Sequence, residues 1–142
     1  MILYLDTSAF LKLYVAEPES PQIHQAVASA KVTCTHLLAY AEMRAGLTKA
    51  VREKRISAEE LPYQVNAFEH DWAEMRIVEA TEELIRRAGD LAERFGLRGY
   101  DSVHLAAAEA VWRAAPGVDF RVAVFDGGLA KAIQQLGMTL LN

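Results

Sequence analysis

A chain of 142 residues is long enough to bury the core of one domain. Its content of 52% hydrophobic and 24% charged residues excludes wholesale disorder. A net charge of −4 excludes a grip on nucleic acid by bulk electrostatics, so any such role rests on local basic patches or on bound metal.

The chain opens on a short apolar run, Ile2–Leu5, stopped by Asp6-Thr7-Ser8, which reads as a buried strand. That run is too short for a signal peptide or a membrane span, and no later stretch is long and charge-free enough. Ala9–Val15 reads as a short helix, Pro18 and Pro21 interrupt the chain after it, and Gln22–Ala30 completes a helical arm. Val32-Thr33-Cys34-Thr35 is short and β-branched, a second strand. Cys34 is the only cysteine, so no internal disulfide can form, and a lone thiol suits a reducing compartment; the expectation is a cytoplasmic protein. His36–Arg55 is rich in helix-favouring residues. Ser57-Ala58-Glu59-Glu60 resembles a capping box that starts the next helix, with Pro62 in its first turns.

Ile77-Val78 carries a short strand signal. Thr81–Phe95 is an amphipathic helix ended by Gly96, and Tyr100–Ala115 is another, stopped by Pro116-Gly117. Phe120–Phe125 is an apolar, β-branched strand. Leu129–Leu136 is helical, Gly137 caps it, and Met138–Leu141 makes a final edge strand. Strands alternating with helices, without repeat or linker, predict a single α/β domain over residues 1–142 with a mostly parallel sheet.

Two acids follow predicted strands directly, Asp6 and Asp126. In open parallel sheets the working crevice lies beyond the carboxyl ends of the strands. Taken alone, each reads better as the N-cap of the helix that follows. Glu42 has Leu38, Ala39, Ala45 and Gly46 as its helical neighbours, an apolar stripe that should pack inward. A buried carboxylate there needs a cation or a proton. Asp101 lines up with Leu105, Ala108 and Trp112, while Ser102, Glu109 and Arg113 carry the expected wet face. Alone it reads as a first-turn acid favoured by the helix dipole. Four such carboxylates together repel, which raises some of their pKa values unless hard divalent cations neutralise them. An all-oxygen site suits Mg²⁺ or Mn²⁺ and phosphodiester hydrolysis, one ion activating water and a second stabilising the leaving oxygen.

These residues resemble a known family. Leu5-Asp6-Thr7-Ser8-Ala9 resembles the opening of PIN domains, and Ala41-Glu42-Met43-Arg44 their Ala-Glu-x-Arg helix. Leu97–Ala106 is similar to the third acidic motif of the VapC toxins, and Val124–Leu129 to the fourth. The four motifs stand in order from end to end. The resemblance implies a three-layer α/β/α fold, a homodimer, and Mg²⁺- or Mn²⁺-dependent endoribonuclease activity on RNA. It also implies a cognate antitoxin that inserts a segment into the active site. Asp6, Glu42 and Asp101 would be core metal ligands and Asp126 the fourth acid, with Ser8 fixing Asp6 or a metal-bound water. Val124 stands where many relatives carry Thr or Ser, and Gly127-Gly128 where many carry basic or polar residues.

His104 lies one helical turn from Asp101 and reads as a hydrogen-bonded structural residue. His24, His36 and His70 show no zinc-like spacing. Arg44, Lys49, Arg52, Lys54 and Arg55 read as a solvated helix face, except that Arg44, two residues after Glu42, is also placed to hold an RNA phosphate. No Gly-rich phosphate loop is present, so NTP hydrolysis and dinucleotide binding have no support. Three alternatives stay open: a DNA-directed nuclease of the same metal chemistry, a phosphotransfer enzyme with Asp6 as nucleophile, and an inactive module whose acids are only caps. A phosphatase of that kind commonly has a second Asp where this chain has Ser8.

Overall fold

Strand β1 (Ile2–Leu5) alternates its side chains across the sheet, and that alternation divides the molecule into layers. Leu3 and Leu5 enter one buried cluster and Tyr4 the other. In the computed structural model, which describes residues 1–142, five parallel strands run in the order β3-β2-β1-β4-β5. The others are β2 (Val32–His36), β3 (Arg76–Val78), β4 (Phe120–Ala123) and β5 (Thr139–Leu140). The Leu3 and Leu5 face is covered by α1 (Thr7–Leu11), α2 (Ser20–Ser29), α3 (Ala39–Arg52) and α4 (Leu61–Glu74), through Phe10, Ile23, Met43, Leu47 and Phe68. The Tyr4 face is covered by α5 (Glu82–Phe95), α6 (Gly99–Ala114) and α7 (Gly127–Leu136), through Leu91, Leu105, Leu129 and Ile133. This is the expected α/β/α sandwich, with every strand pair parallel.

The order of strands fixes the working edge. β1 pairs with β2 on one side and β4 on the other, so the chain direction of travel reverses between β1 and β4. That switch point is where an open α/β sheet leaves a crevice beyond its strand ends. Asp6 follows β1, and Phe125-Asp126 follow β4.

Several boundaries move from those expected, for local reasons. The β4 ladder ends at the Leu5–Ala123 pairing, so Val124 and Phe125 leave the sheet and the Phe125 N–H turns to the Ser8 hydroxyl at 3.0 Å. His36 belongs to β2, opposite Val78, and α3 begins only at Ala39. The Ser57 and Glu60 side chains do exchange capping-box hydrogen bonds, in a turn just ahead of α4. Helix α5 starts on a Thr81 cap and ends at Gly96 in the left-handed region, φ +66°.

The wet face expected for α6 is corrected. Ser102 and Glu109 are both buried. Ser102 donates to the Gly99 carbonyl at 2.7 Å, and Arg87 of α5 clasps Glu109 through two 2.8 Å bonds. Helix α6 lies between α5 and the sheet, and a paired guanidinium lets a carboxylate be buried on what would otherwise be a solvent face.

Candidate active site

Asp6 is the deepest of the four acids, 4% exposed at the end of β1. Its Oδ1 accepts from the Ser8 hydroxyl at 2.7 Å and from the Ala9 N–H at 2.9 Å, so it does cap α1. Asp126 likewise caps α7, its Oδ1 accepting from the Leu129 N–H at 2.9 Å. Capping therefore engages one oxygen of each acid. It does not exclude a second role for the other.

Glu42 is not on the inward stripe of α3, which is Ala39, Met43, Leu47 and Ala50. It stands half-buried at the edge of that stripe, a correction to the sequence expectation. Its Oε1 accepts from the Thr7 hydroxyl at 2.7 Å and meets His104 Nε2 at 2.8 Å. Gly46 lies one turn along α3, against α1. A Cβ there would meet Leu11 Cδ1 of α1 at 3.3 Å, so a larger residue would require the leucine to shift slightly.

His104 reaches the site as well as the core. Its Nδ1 meets the Tyr4 hydroxyl at 2.8 Å, so both ring nitrogens are engaged. Its spacing from Asp101 is visible in the sequence, whereas Tyr4 and Thr7 carry no role there. Their available signals are the polar tip of a tyrosine inside an apolar strand, which must find a partner, and a hydroxyl adjoining Asp6. Behind the site, His36 Nδ1 accepts from the Leu38 N–H at 2.9 Å, leaving a buried Nε2 without a partner.

Asp101 sits in the first turn of α6, half-buried, and Arg98 joins it to Asp126. The guanidinium lies 3.2 Å from Asp101 Oδ2 and 3.7 Å from Asp126 Oδ2. An open cleft of about 510 Å³ is lined by Glu42, Arg98, Gly99, Tyr100 and Asp101. Arg44, by contrast, is turned away from the acids. It donates to the Tyr40 hydroxyl at 2.9 Å and lies 3.7 Å from Glu69 of α4. Two positions along a helix correspond to about 200° of rotation, which carries Arg44 to the other side of α3 from Glu42.

The electrostatics divide the acids. Burial pushes the Asp6 carboxyl up to about 6; the Ser8 hydrogen bond, the His104 charge and the Ala9 N–H oppose this, and the Asp101 charge adds to it. Burial also works against ionised Glu42, but the His104 hydrogen bond and charge, Thr7 and His36 outweigh it and hold that carboxyl below its usual range. Mutual repulsion is thus a minor cause of the shifts, behind burial.

No three His, Cys, Asp or Glu side chains are gathered closely enough to hold one ion as they stand. The donor chemistry nevertheless fits a hard divalent cation. All hydrogen bonds to Asp6 fall on Oδ1 and all those to Glu42 on Oε1, which leaves the second oxygen of each for another ligand. The Arg98 guanidinium meanwhile stands as a cation between Asp101 and Asp126.

Known proteins resemble this chain in sequence and in fold. The PIN domain family profile matches residues 3–111. Ribonuclease VapC45 of Mycobacterium tuberculosis (strain CDC 1551 / Oshkosh) is 38% identical over 110 residues, which cover 78% of this chain and 76% of that protein. Ribonuclease VapC46 of Mycobacterium tuberculosis (strain ATCC 25618 / H37Rv) is 30% identical over 141 residues, covering 98% and 95%. A toxin–antitoxin complex from Klebsiella pneumoniae contains a chain of similar fold, with a TM-score of 0.68 at 15% identity, over 99% of this chain and 98% of that one. The chain belongs to the PIN domain family, in its VapC group.

Proposed function

We propose that this chain is a Mg²⁺- or Mn²⁺-dependent endoribonuclease, the toxin of a toxin–antitoxin pair. The observation that carries the reading is the switch point itself: Asp6 follows β1 and Asp126 lies beyond the neighbouring β4, while Thr7 links Glu42, and Arg98 links Asp101, to that edge. The relatives named as ribonucleases support RNA as substrate. Asp6, Glu42, Asp101 and Asp126 would hold the ion. When bound, it supplies Lewis-acid activation of water and positive charge for the leaving oxygen. Ser8 orients Asp6, and Thr7 with His104 orients Glu42. Arg98, already poised between two acids, is available to an incoming phosphate.

The partner we propose is a small cognate antitoxin that places a basic side chain among these acids. The toxin–antitoxin complex from Klebsiella pneumoniae supports this reading, as does the way the acids already receive a guanidinium. A homodimer and a cytoplasmic location belong to the same proposal, and no helix is long and apolar enough to cross a membrane.

The test is digestion of matched single-stranded RNA and DNA by protein freed of antitoxin, in Mn²⁺, Mg²⁺ and EDTA. RNA cleavage with either metal, stopped by EDTA, is expected. Equal cutting in EDTA rejects the metal chemistry, and preferential cutting of DNA rejects the substrate. Absence of cleavage together with no Mn²⁺-induced rise in melting temperature leaves an inactive module whose acids are helix caps.

A further inference from the structure

The five residues lining the cleft are not all acids, and Tyr100 is its one hydrophobic member. Tyr100 is 63% exposed and lines the cleft together with Glu42 and Asp101. Gly99 beside it leaves open space: a Cβ added there would meet nothing within 4 Å. Arg98 flanks the pair, its side chain 81% exposed and held only by the two ion pairs with Asp101 and Asp126. Exposed pairs of this length restrain a side chain loosely.

We propose that Tyr100 is a stacking platform for an unpaired nucleobase of the substrate, with Arg98 taking the adjoining phosphate. The inference rests on the ribonuclease reading above and adds where the strand lies. A chain of net charge −4 with an acidic cleft repels the phosphate backbone, so its hold on RNA must come from contacts that do not depend on bulk charge. Stacking on an aromatic face is such a contact, open to any base that is free of its own helix. The cleft volume, about 510 Å³, falls within the ~300–1,000 Å³ usual for small-ligand sites. The subsite therefore selects single-stranded or looped RNA over duplex, with little preference for base identity.

Binding is read by fluorescence anisotropy of a short labelled single-stranded RNA, in EDTA and in Ca²⁺, and cleavage by kcat and KM in Mn²⁺. Tyr100→Ala should raise Kd and KM about tenfold with a smaller change in kcat. Tyr100→Phe and Tyr100→Trp should stay near wild type. Tyr63→Ala, which removes a 75% exposed tyrosine from α4, should change nothing. Arg98→Ala should reduce the slope of log K against log salt by about 0.7, one phosphate contact on a single strand; an unchanged slope overturns the Arg98 assignment. A Tyr100→Ala protein that binds and cuts like wild type overturns the subsite and leaves the nuclease standing. A change in sedimentation with unchanged RNA binding also overturns it, because Tyr100 would then serve a protein contact. If wild type neither binds nor cuts RNA, the nuclease reading fails and the subsite with it.

Discussion

Nε2 of His104 stands 2.8 Å from Oε1 of Glu42, and Nδ1 of the same ring stands 2.8 Å from the Tyr4 hydroxyl. The ring thus carries the placement of the central strand through α6 to a carboxylate on α3. Nε2–H donates to the Glu42 carboxylate, and Nδ1 pairs with the Tyr4 hydroxyl. Replacing His104 by Phe removes both, so Tyr4 and Glu42 lose a partner each. The variant should lose about 1–3 kcal/mol of stability in urea denaturation. Mn²⁺ affinity by calorimetry should fall about 10–100-fold, the usual cost of losing an outer partner of a ligand. His104→Gln keeps an amide that can donate to Glu42 and should recover much of the metal affinity. A Phe variant that binds Mn²⁺ like wild type would reduce His104 to a core residue.

The acids themselves should rank unequally. Asp6→Asn, Glu42→Gln and Asp101→Asn should each lower cleavage by more than the ~10–100-fold expected for an outer partner, with circular dichroism unchanged. Asp126→Asn should hurt less. Asparagine still accepts from the Leu129 N–H, and Asp126 lies 3.7 Å from the Arg98 guanidinium against 3.2 Å for Asp101. Equal losses for Asp126→Asn and Asp101→Asn in a single-turnover assay would reject this order.

Much of the fold is legible in the sequence, and the surroundings of the candidate acids are hidden for physical reasons. The strand end before Asp6 follows from an apolar run halted by a carboxylate, a signal within one element, whereas the run to Phe125 outlasts β4, whose ladder stops at Ala123. Burial on α6 depends on a residue from elsewhere: Glu109 looks like a solvent residue because its partner, Arg87, lies 22 positions away on α5. Helical spacing puts Glu42 on the inward stripe because it gives neighbours, not the direction of the core. The core direction is set by Met43 and Leu47 packing on the sheet. Arg44 is a candidate for phosphate because it adjoins Glu42 in sequence, where rotation about the helix separates them. The Thr7–Glu42 and Tyr4–His104 contacts join positions 35 and 100 apart, and no local pattern encodes such pairs.

Ser8 ties two strand ends together. Its hydroxyl donates to Asp6 Oδ1 at 2.7 Å and accepts from the Phe125 N–H at 3.0 Å, one residue before Asp126. Ser8→Ala leaves that N–H without a partner and frees Asp6 to rotate. A stability loss of about 1–3 kcal/mol is expected. Mn²⁺ affinity should weaken by about 10–100-fold, measured by titration calorimetry. Unchanged affinity alongside reduced stability would confine Ser8 to a structural part.

The pH dependence of stability isolates Asp6. Its folded-state pKa, about 6, lies above the ordinary 3.8. For a raised acid, the linked stabilisation is complete below the unfolded value and is lost as pH climbs through the folded one. In EDTA the wild type should therefore lose on the order of 3 kcal/mol from this group between about pH 4 and pH 6. Glu42 runs the other way. Its lowered pKa gives stability at neutral pH that disappears only in acid, below its usual range, so the two titrations occupy separate windows. Asn at position 6 can still accept from Ser8 and Ala9 through its amide oxygen but has no charge to bury. The stability of Asp6→Asn minus that of wild type, from urea denaturation in EDTA, should grow across pH 4–6 and then level off. Adding Mn²⁺ at neutral pH should reverse the order, because an ion that binds the folded state alone stabilises it by mass action and needs the Asp6 carboxylate. A difference that stays flat across that window, with equal Mn²⁺ shifts in both proteins, would leave Asp6 as the cap of α1 and remove it from the metal site.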